Sequence, residues 1–333
     1  MPSYVESRRR WVRRFSKTLL KATLTLTLLW WVTKSLQTGQ LRTILCTVSA
    51  ETVALAGGAI ILQTTIIGWR WHRIVHLLGG VLAPGNAIYL AFVGLFFNQA
   101  LPTSVGGDAV RVWALHRLGG APGLAFSSVA IERTTGVVVL GLMTTLCLPA
   151  VWHQISSHAT LRTALLAVGP CLLACLLLLT VADKLALRRL PPRFVELVSA
   201  LPRGLRLLGT RPRAILEVSS LGFAASFTGV VAAYILGRDL AIPLSLPGYV
   251  VLMGGAVLFS ALPLSIGGWG LREASMVTLF GAMGVPSERA LVLSILCGTL
   301  PIVVSLPIGV VWWAGGGSGE GSDPSHPSRP PSS

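Results

Sequence analysis

The sequence predicts an all-α integral membrane protein, a polytopic helical bundle of six full spans with two Pro/Gly-broken re-entrant hairpins arranged as an inverted repeat. Three observations carry that expectation: an apolar composition, long uncharged runs, and a duplicated Pro-Gly-Gly motif. Of 333 residues, 53% are hydrophobic and only 12% charged, about half the charged share of an ordinary soluble domain. Mean hydropathy is +0.72. The 27 Lys and Arg against 12 Asp and Glu leave a formal charge of +15. Fifteen of those basic residues fall in two blocks, Arg8 to Lys21 and Lys184 to Arg213. Basic blocks flanking apolar runs follow the positive-inside pattern, not the spread charge of a nucleic-acid-binding surface. Soluble enzyme, nucleic-acid binder and secreted disulfide scaffold are disfavoured from the outset.

A span needs roughly 20 apolar residues to cross about 30 Å of hydrocarbon. Such runs occur near 19–36, 44–68, 124–150, 163–182, 214–236 and 288–313. Residues 1–18 read as a basic cytoplasmic N-terminus, 19–313 as a single transmembrane domain, and 314–333 as a Gly/Ser/Pro-rich disordered tail. The first run ends in Trp30, Trp31 and Lys34 with no small-residue cleavage site, which suits an uncleaved anchor. Seven basic residues before it place the N-terminus in the cytoplasm of a multi-pass cell-membrane protein. Arg70 and Arg73 then follow the second span on the cytoplasmic side, and the basic 183–213 segment is a cytoplasmic loop. The topology closes only if the broken stretch near 86–110 crosses the membrane twice or not at all, as a re-entrant hairpin does.

The duplication lies in ALPTSVGGDAVR at 100–111 and ALPLSIGGWGLR at 261–272, identical at seven of twelve positions. Each copy follows a full span, and the two spans run in opposite directions, giving repeat units near 44–123 and 214–287. Inverted repeats with interrupted helices mark transporters whose substrate site lies near the bilayer midplane. Pro102 and Pro263 remove a backbone donor, while Gly106, Gly107, Gly267 and Gly268 admit conformations closed to other residues. Helices restarting after each Gly-Gly would present free N–H groups to an anion, with Arg111 and Arg272 about one turn further on.

These residues resemble the transmembrane, flippase-like domain of the lysylphosphatidylglycerol synthase family. The resemblance rests on Arg70-Trp71, Phe96-Phe97-Asn98, Leu101-Pro102, Gly106 to Arg111, Glu132-Arg133-Thr134-Thr135-Gly136 and Leu262 to Glu273. The family usually shows Asp where Glu132 stands. The resemblance covers about 44–313 and implies translocation of a lipid between leaflets. Synthases of this family add a soluble aminoacyl-transferase domain, and with about 20 residues after the last span that activity is expected to be absent.

Charges near the bilayer centre cost on the order of 3 kcal/mol each on insertion scales, so they are paired, wetted or functional. The candidate substrate-binding residues are Asn98, Asp108, Arg111, Glu132, Arg133, Arg272 and Glu273. The arginines would grip a lipid phosphate bidentately, and the carboxylates would orient them; a self-neutralising structural network is the competing reading. Asn98 suits either a headgroup contact or a helix cap. His72 and His76 read as an interfacial helix face, Glu51 carries no assignment, and Cys46, Cys147, Cys171, Cys175 and Cys297 read as packing residues. No cofactor or metal site is expected. None of the four lysines follows a glycine, so no Gly-Lys phosphate loop supports ATP hydrolysis. The reading is a translocator, not an enzyme, whose partner is a membrane phospholipid or an isoprenoid-phosphate lipid. A membrane enzyme acting on a lipid headgroup and a non-transporting partner of a membrane transferase are the alternatives.

Overall fold

A computed structural model describes residues 44, 46–100, 106–153, 159–186, 192–260 and 270–314. Its elements are α1 (Ala50–Leu77), α2 (Pro84–Ala100), α3 (Gly106–Arg117), α4 (Pro122–Cys147) with a 3-10 turn (Leu148–Val151), α5 (Ala159–Ala186), α6 (Pro192–Gly209), α7 (Pro212–Asp239), α8 (Leu246–Ser260), α9 (Leu271–Gly281) and α10 (Ser287–Ala314). Among the described residues, five helices are long and apolar enough to cross a membrane: Ala50–Leu77, Pro122–Val151, Arg162–Thr180, Pro212–Asp239 and Ser287–Trp312. They coincide with five of the six expected full spans. The expected span at 19–36 and the tail beyond Ala314 lie outside the described residues, as do Pro102, Pro263, Gly267 and Gly268.

Helices α1 and α7 are both 28 residues long and lie side by side. Their direction follows from polar contacts at the two ends. The Ser49 N–H ahead of α1 donates to Asp239 Oδ2 at the end of α7, 3.0 Å away. At the opposite end Arg73 Nη2 donates to Glu217 Oε2 at 2.8 Å. Between these, Gln63 packs on Gly229 and Arg70 on Gly222. The pair is therefore antiparallel. Each heads a four-helix run, α1–α4 and α7–α10, in which a long helix precedes two short ones and a further long one. The packing of one run mirrors the other: α2 rests on α10 as α8 rests on α4, and α1 touches α10 as α7 touches α4.

The short helices α2 and α3 form an antiparallel hairpin. Gly107 makes this possible, because a Cβ there would collide with the Gly94 carbonyl and the Asn98 side chain. The main apolar core gathers Tyr249, Met253, Leu236, Met276 and Phe280 with Ala56 and Ile60. A second core around Trp71, Val75, Leu115 and Val129 fastens α1, α3 and α4.

Two expectations are corrected. Helix α1 runs to Leu77, nine residues past the expected end at 68, so Arg70 lies inside a packed helix and is buried. The 183–213 segment is largely helical: α5 runs on to Ala186, and Pro192–Gly209 forms the amphipathic α6. Leu201, Leu205 and Leu208 recur at helical spacing and pack with Ile74, Ile131, Leu176, Leu179 and Val218, while Arg203 stays exposed. Arg206 Nη1 donates to the Thr180 carbonyl at 2.6 Å, tying α6 to α5. The bundle's ends differ in charge. Among the described residues, Arg73, Arg117, Arg203, Arg206, Arg211 and Arg213 gather where α7 begins, opposed by Glu217. At the other end Arg162, Arg238 and Arg289 are balanced by Glu51, Asp239 and Glu288.

The antiparallel pairing is checked by paired cysteines in a background freed of native cysteine. Ser49→Cys with Asp239→Cys, and Arg73→Cys with Glu217→Cys, should cross-link with a short bifunctional maleimide. Ser49→Cys with Glu217→Cys should not, since about 35 Å of helix separates them. An intramolecular product from that last pair would contradict the arrangement.

Candidate functional site

Five charged side chains from α1, α3 and α4 meet in one cluster. Glu132 stands between two buried guanidiniums: Arg70 Nη2 donates to its Oε1 and to its main-chain carbonyl, and Arg111 Nη1 lies 3.2 Å from its Oε2. All three are at least 96% buried. Arg111 also lies 3.6 Å from Asp108, one turn earlier on α3, and its guanidinium stacks 4.3 Å above the Trp71 ring. The Trp71 indole N–H donates to Ser128 Oγ at 3.1 Å, which fixes the ring beneath that cation. Arg133 takes Asp108 bidentately, with Nε and Nη2 each 2.8 Å from a carboxylate oxygen. Its side chain is 52% exposed. The cluster thus has a sealed inner part and an open outer pair.

The charges do not cancel. Three guanidiniums face two carboxylates, which leaves one surplus positive charge in a low-dielectric setting where such a charge is costly unless matched. Hydrogen bonding is incomplete as well: Arg70 Nε and Nη1 and Arg111 Nε and Nη2 are buried without a partner. A purely structural ion pair normally satisfies its donors, and this cluster leaves four guanidinium nitrogens without an acceptor.

The second motif gives a different arrangement. Arg272 Nη2 and Nε contact Glu273 Oε1 at 2.7 and 3.1 Å, and Ser294 Oγ adds a 3.4 Å bond to the same oxygen. Glu273 Oε2 accepts the Gly270 N–H at 2.5 Å, so this buried carboxylate caps α9 from within. Arg272 lies across Gly298 of α10, where a Cβ would overlap the guanidinium. Glu132 lies about 15 Å along α4 from the arginine-rich end, and Gly298 about 15 Å along α10 from the other end.

Of the expected site residues, Asp108, Arg111, Glu132 and Arg133 come together, and Arg272 and Glu273 form the second cluster. Asn98 takes the capping role: its Oδ1 accepts the Gly107 N–H at 2.9 Å. Gly106 and Gly107 form the first turn of α3, which begins at the Gly-Gly pair and not after it. At each N-terminus one backbone N–H is already taken, Gly107 by Asn98 and Gly270 by Glu273. Sequence reasoning missed Arg70, Trp71 and Ser128 as site residues. The Arg70-Trp71 pair was a signal, because a cation beside a large aromatic on a helix that keeps going has to find its partners inside the bundle.

The family described as lysylphosphatidylglycerol synthase TM region matches residues 18–309. The chain belongs to this family. A UPF0104 membrane protein, MJ1595 of Methanocaldococcus jannaschii, is 36% identical over 98 residues, 29% of this chain. The match likewise spans only 29% of that relative's length. In this lysylphosphatidylglycerol synthase TM-region protein, membership and the five apolar helices together make the chain a multi-pass membrane protein.

Removing one partner of a buried ion pair strands the other charge. Glu132→Gln should lower unfolding stability in detergent by about 3–5 kcal/mol, whereas Arg133→Gln, with its half-exposed side chain, should cost about 0–1 kcal/mol. Equal losses would mean that the two positions are equally sealed.

Proposed function

We propose that this protein translocates a phosphate-bearing lipid between leaflets, through a groove lined by guanidiniums and carboxylates. The observation that carries the reading is the first cluster's surplus positive charge, with orphaned donors inside and the half-exposed Arg133 at its edge. Phosphate oxygens supply both the missing charge and the missing acceptors. A lone ionised headgroup faces an idealised Born cost of order 20 kcal/mol in dry hydrocarbon. A polar groove removes most of it while the acyl chains stay in lipid.

The architecture supports the reading. In our interpretation the runs α1–α4 and α7–α10 are inverted repeat units, because their leading helices are antiparallel and their packing is mirrored. Each short-helix pair is then a re-entrant hairpin that leaves and returns at one end, α2–α3 at the arginine-rich end and α8–α9 at the other. The two arginine clusters would open toward opposite leaflets, and rocking of one unit against the other would alternate access. The positive-inside rule puts the arginine-rich end, and with it the N-terminus, in the cytoplasm of the cell membrane. There α6 lies against an anionic leaflet, where each basic residue adds roughly 1 kcal/mol of attraction.

The test is leaflet exchange in liposomes carrying the purified protein, with fluorescent phosphatidylglycerol and an isoprenoid phosphate as probes. Exchange should exceed that of empty vesicles. Arg133→Gln should slow it about tenfold or more, the loss of one charge-assisted hydrogen bond, and Arg272→Gln should do the same from the opposite side. Exchange no faster than in empty vesicles with both probes would defeat the proposal. An unchanged lipid with unchanged exchange would favour the docking-partner alternative, and a chemically altered lipid would favour an enzyme.

A further inference from the structure

We propose that Glu132 occupies the position of the ligand's phosphate: Arg70 and Arg111 together are the phosphate-binding residues, and an incoming oxyanion replaces the Glu132 carboxylate between them. The inference rests on the reading of this cluster as a phosphate site and adds to it a residue, Arg70, and an internal competitor. The donor inventory carries it. A guanidinium offers five N–H donors in a planar fork, and here two forks face one carboxylate. Glu132 meets each side chain through a single terminal nitrogen, Nη2 of Arg70 and Nη1 of Arg111. Four further nitrogens, two on each arginine, are left buried and unpartnered. Each such group forfeits a hydrogen bond that it would make in water. A carboxylate has two oxygens to offer, while a tetrahedral phosphate adds acceptors above and below that plane and reaches both forks side-on.

Packing decides that the exchange is a replacement and not an addition. The Arg70 guanidinium fills the gap between Gly136 of α4 and Gly222 of α7, where a Cβ on either glycine would press on its terminal nitrogens. Arg111 is held flat on Trp71, itself anchored by Ser128, and its stem crosses Gly94. Both cations are therefore fixed from behind, and the carboxylate on its flexible stem is the group able to withdraw. Arg133, half exposed and paired to Asp108, marks the side from which a headgroup arrives. In the unliganded protein Glu132 keeps two cations tolerable within the bundle, and it sets a threshold that only an anion of higher acceptor capacity passes.

The experiment measures binding of short-chain dihexanoyl phosphatidylglycerol, against uncharged dihexanoylglycerol, to the detergent-solubilised full chain by calorimetry. Glu132→Gln removes the internal competitor and should bind the phosphatidyl probe about tenfold or more tightly than wild type, with no change toward the uncharged probe. Should that variant fail to fold, Glu132→Asp, shortened but still charged, should show the same direction. In the double variant Arg70→Gln with Glu132→Gln the charges leave as a pair, and affinity should fall at least about tenfold below that of Glu132→Gln. Folded Glu132 variants that bind no tighter than wild type, or a double variant that retains the high affinity, would overturn the inference. Tight binding by Glu132→Gln without any leaflet exchange in the wild type would leave this inference standing and remove translocation instead.

Discussion

Three buried or half-buried guanidiniums must be held among apolar helices, and the Glu132 carboxylate is what permits it. It joins α1, through Arg70, to α3, through Arg111, from its own place on α4. In a low-dielectric interior each of these charges alone would cost several kcal/mol, so the three helices are obliged to meet at that point. The Trp71 ring under Arg111 and the glycines flanking Arg70 then follow as the packing that lets planar cations lie between helices.

The two arginine clusters share a motif and differ in how its cation is balanced. Arg111 draws its carboxylate from another helix, whereas Arg272 takes it from the next residue, Glu273, which also closes the α9 N-terminus. The first cluster is therefore a tie between helices with a charge to spare. The second is a local unit, neutral in itself, resting on Gly298 and Ser294 of α10.

Much of this was legible in the chain. Long apolar runs have few ways to satisfy their backbone in lipid, so five helices fell where the runs lie. The Gly-Gly-x-x-x-Arg block at 106–111 marked two of the five members of the first cluster, Asp108 and Arg111, and the Glu132-Arg133 pair in the next apolar run marked two more, because charge inside an apolar run is costly enough to stand out. Arg70 escaped because it sits where an apolar run ends, and a cation at such a place ordinarily reaches water. Helix α6 escaped because its basic face dominates the composition, and its leucine stripe matters only once α4, α5 and α7 offer a surface for it.

Sequence by itself determined the membrane class, the family and the residue types that carry charge into the bundle, since these follow from hydropathy and local backbone chemistry. Tertiary structure alone decided which cation meets which carboxylate, that Asn98 and Glu273 serve as caps, and that one cluster keeps unfilled donors. Those outcomes depend on side chains brought together from helices tens of residues apart, and no local pattern encodes the distance between them.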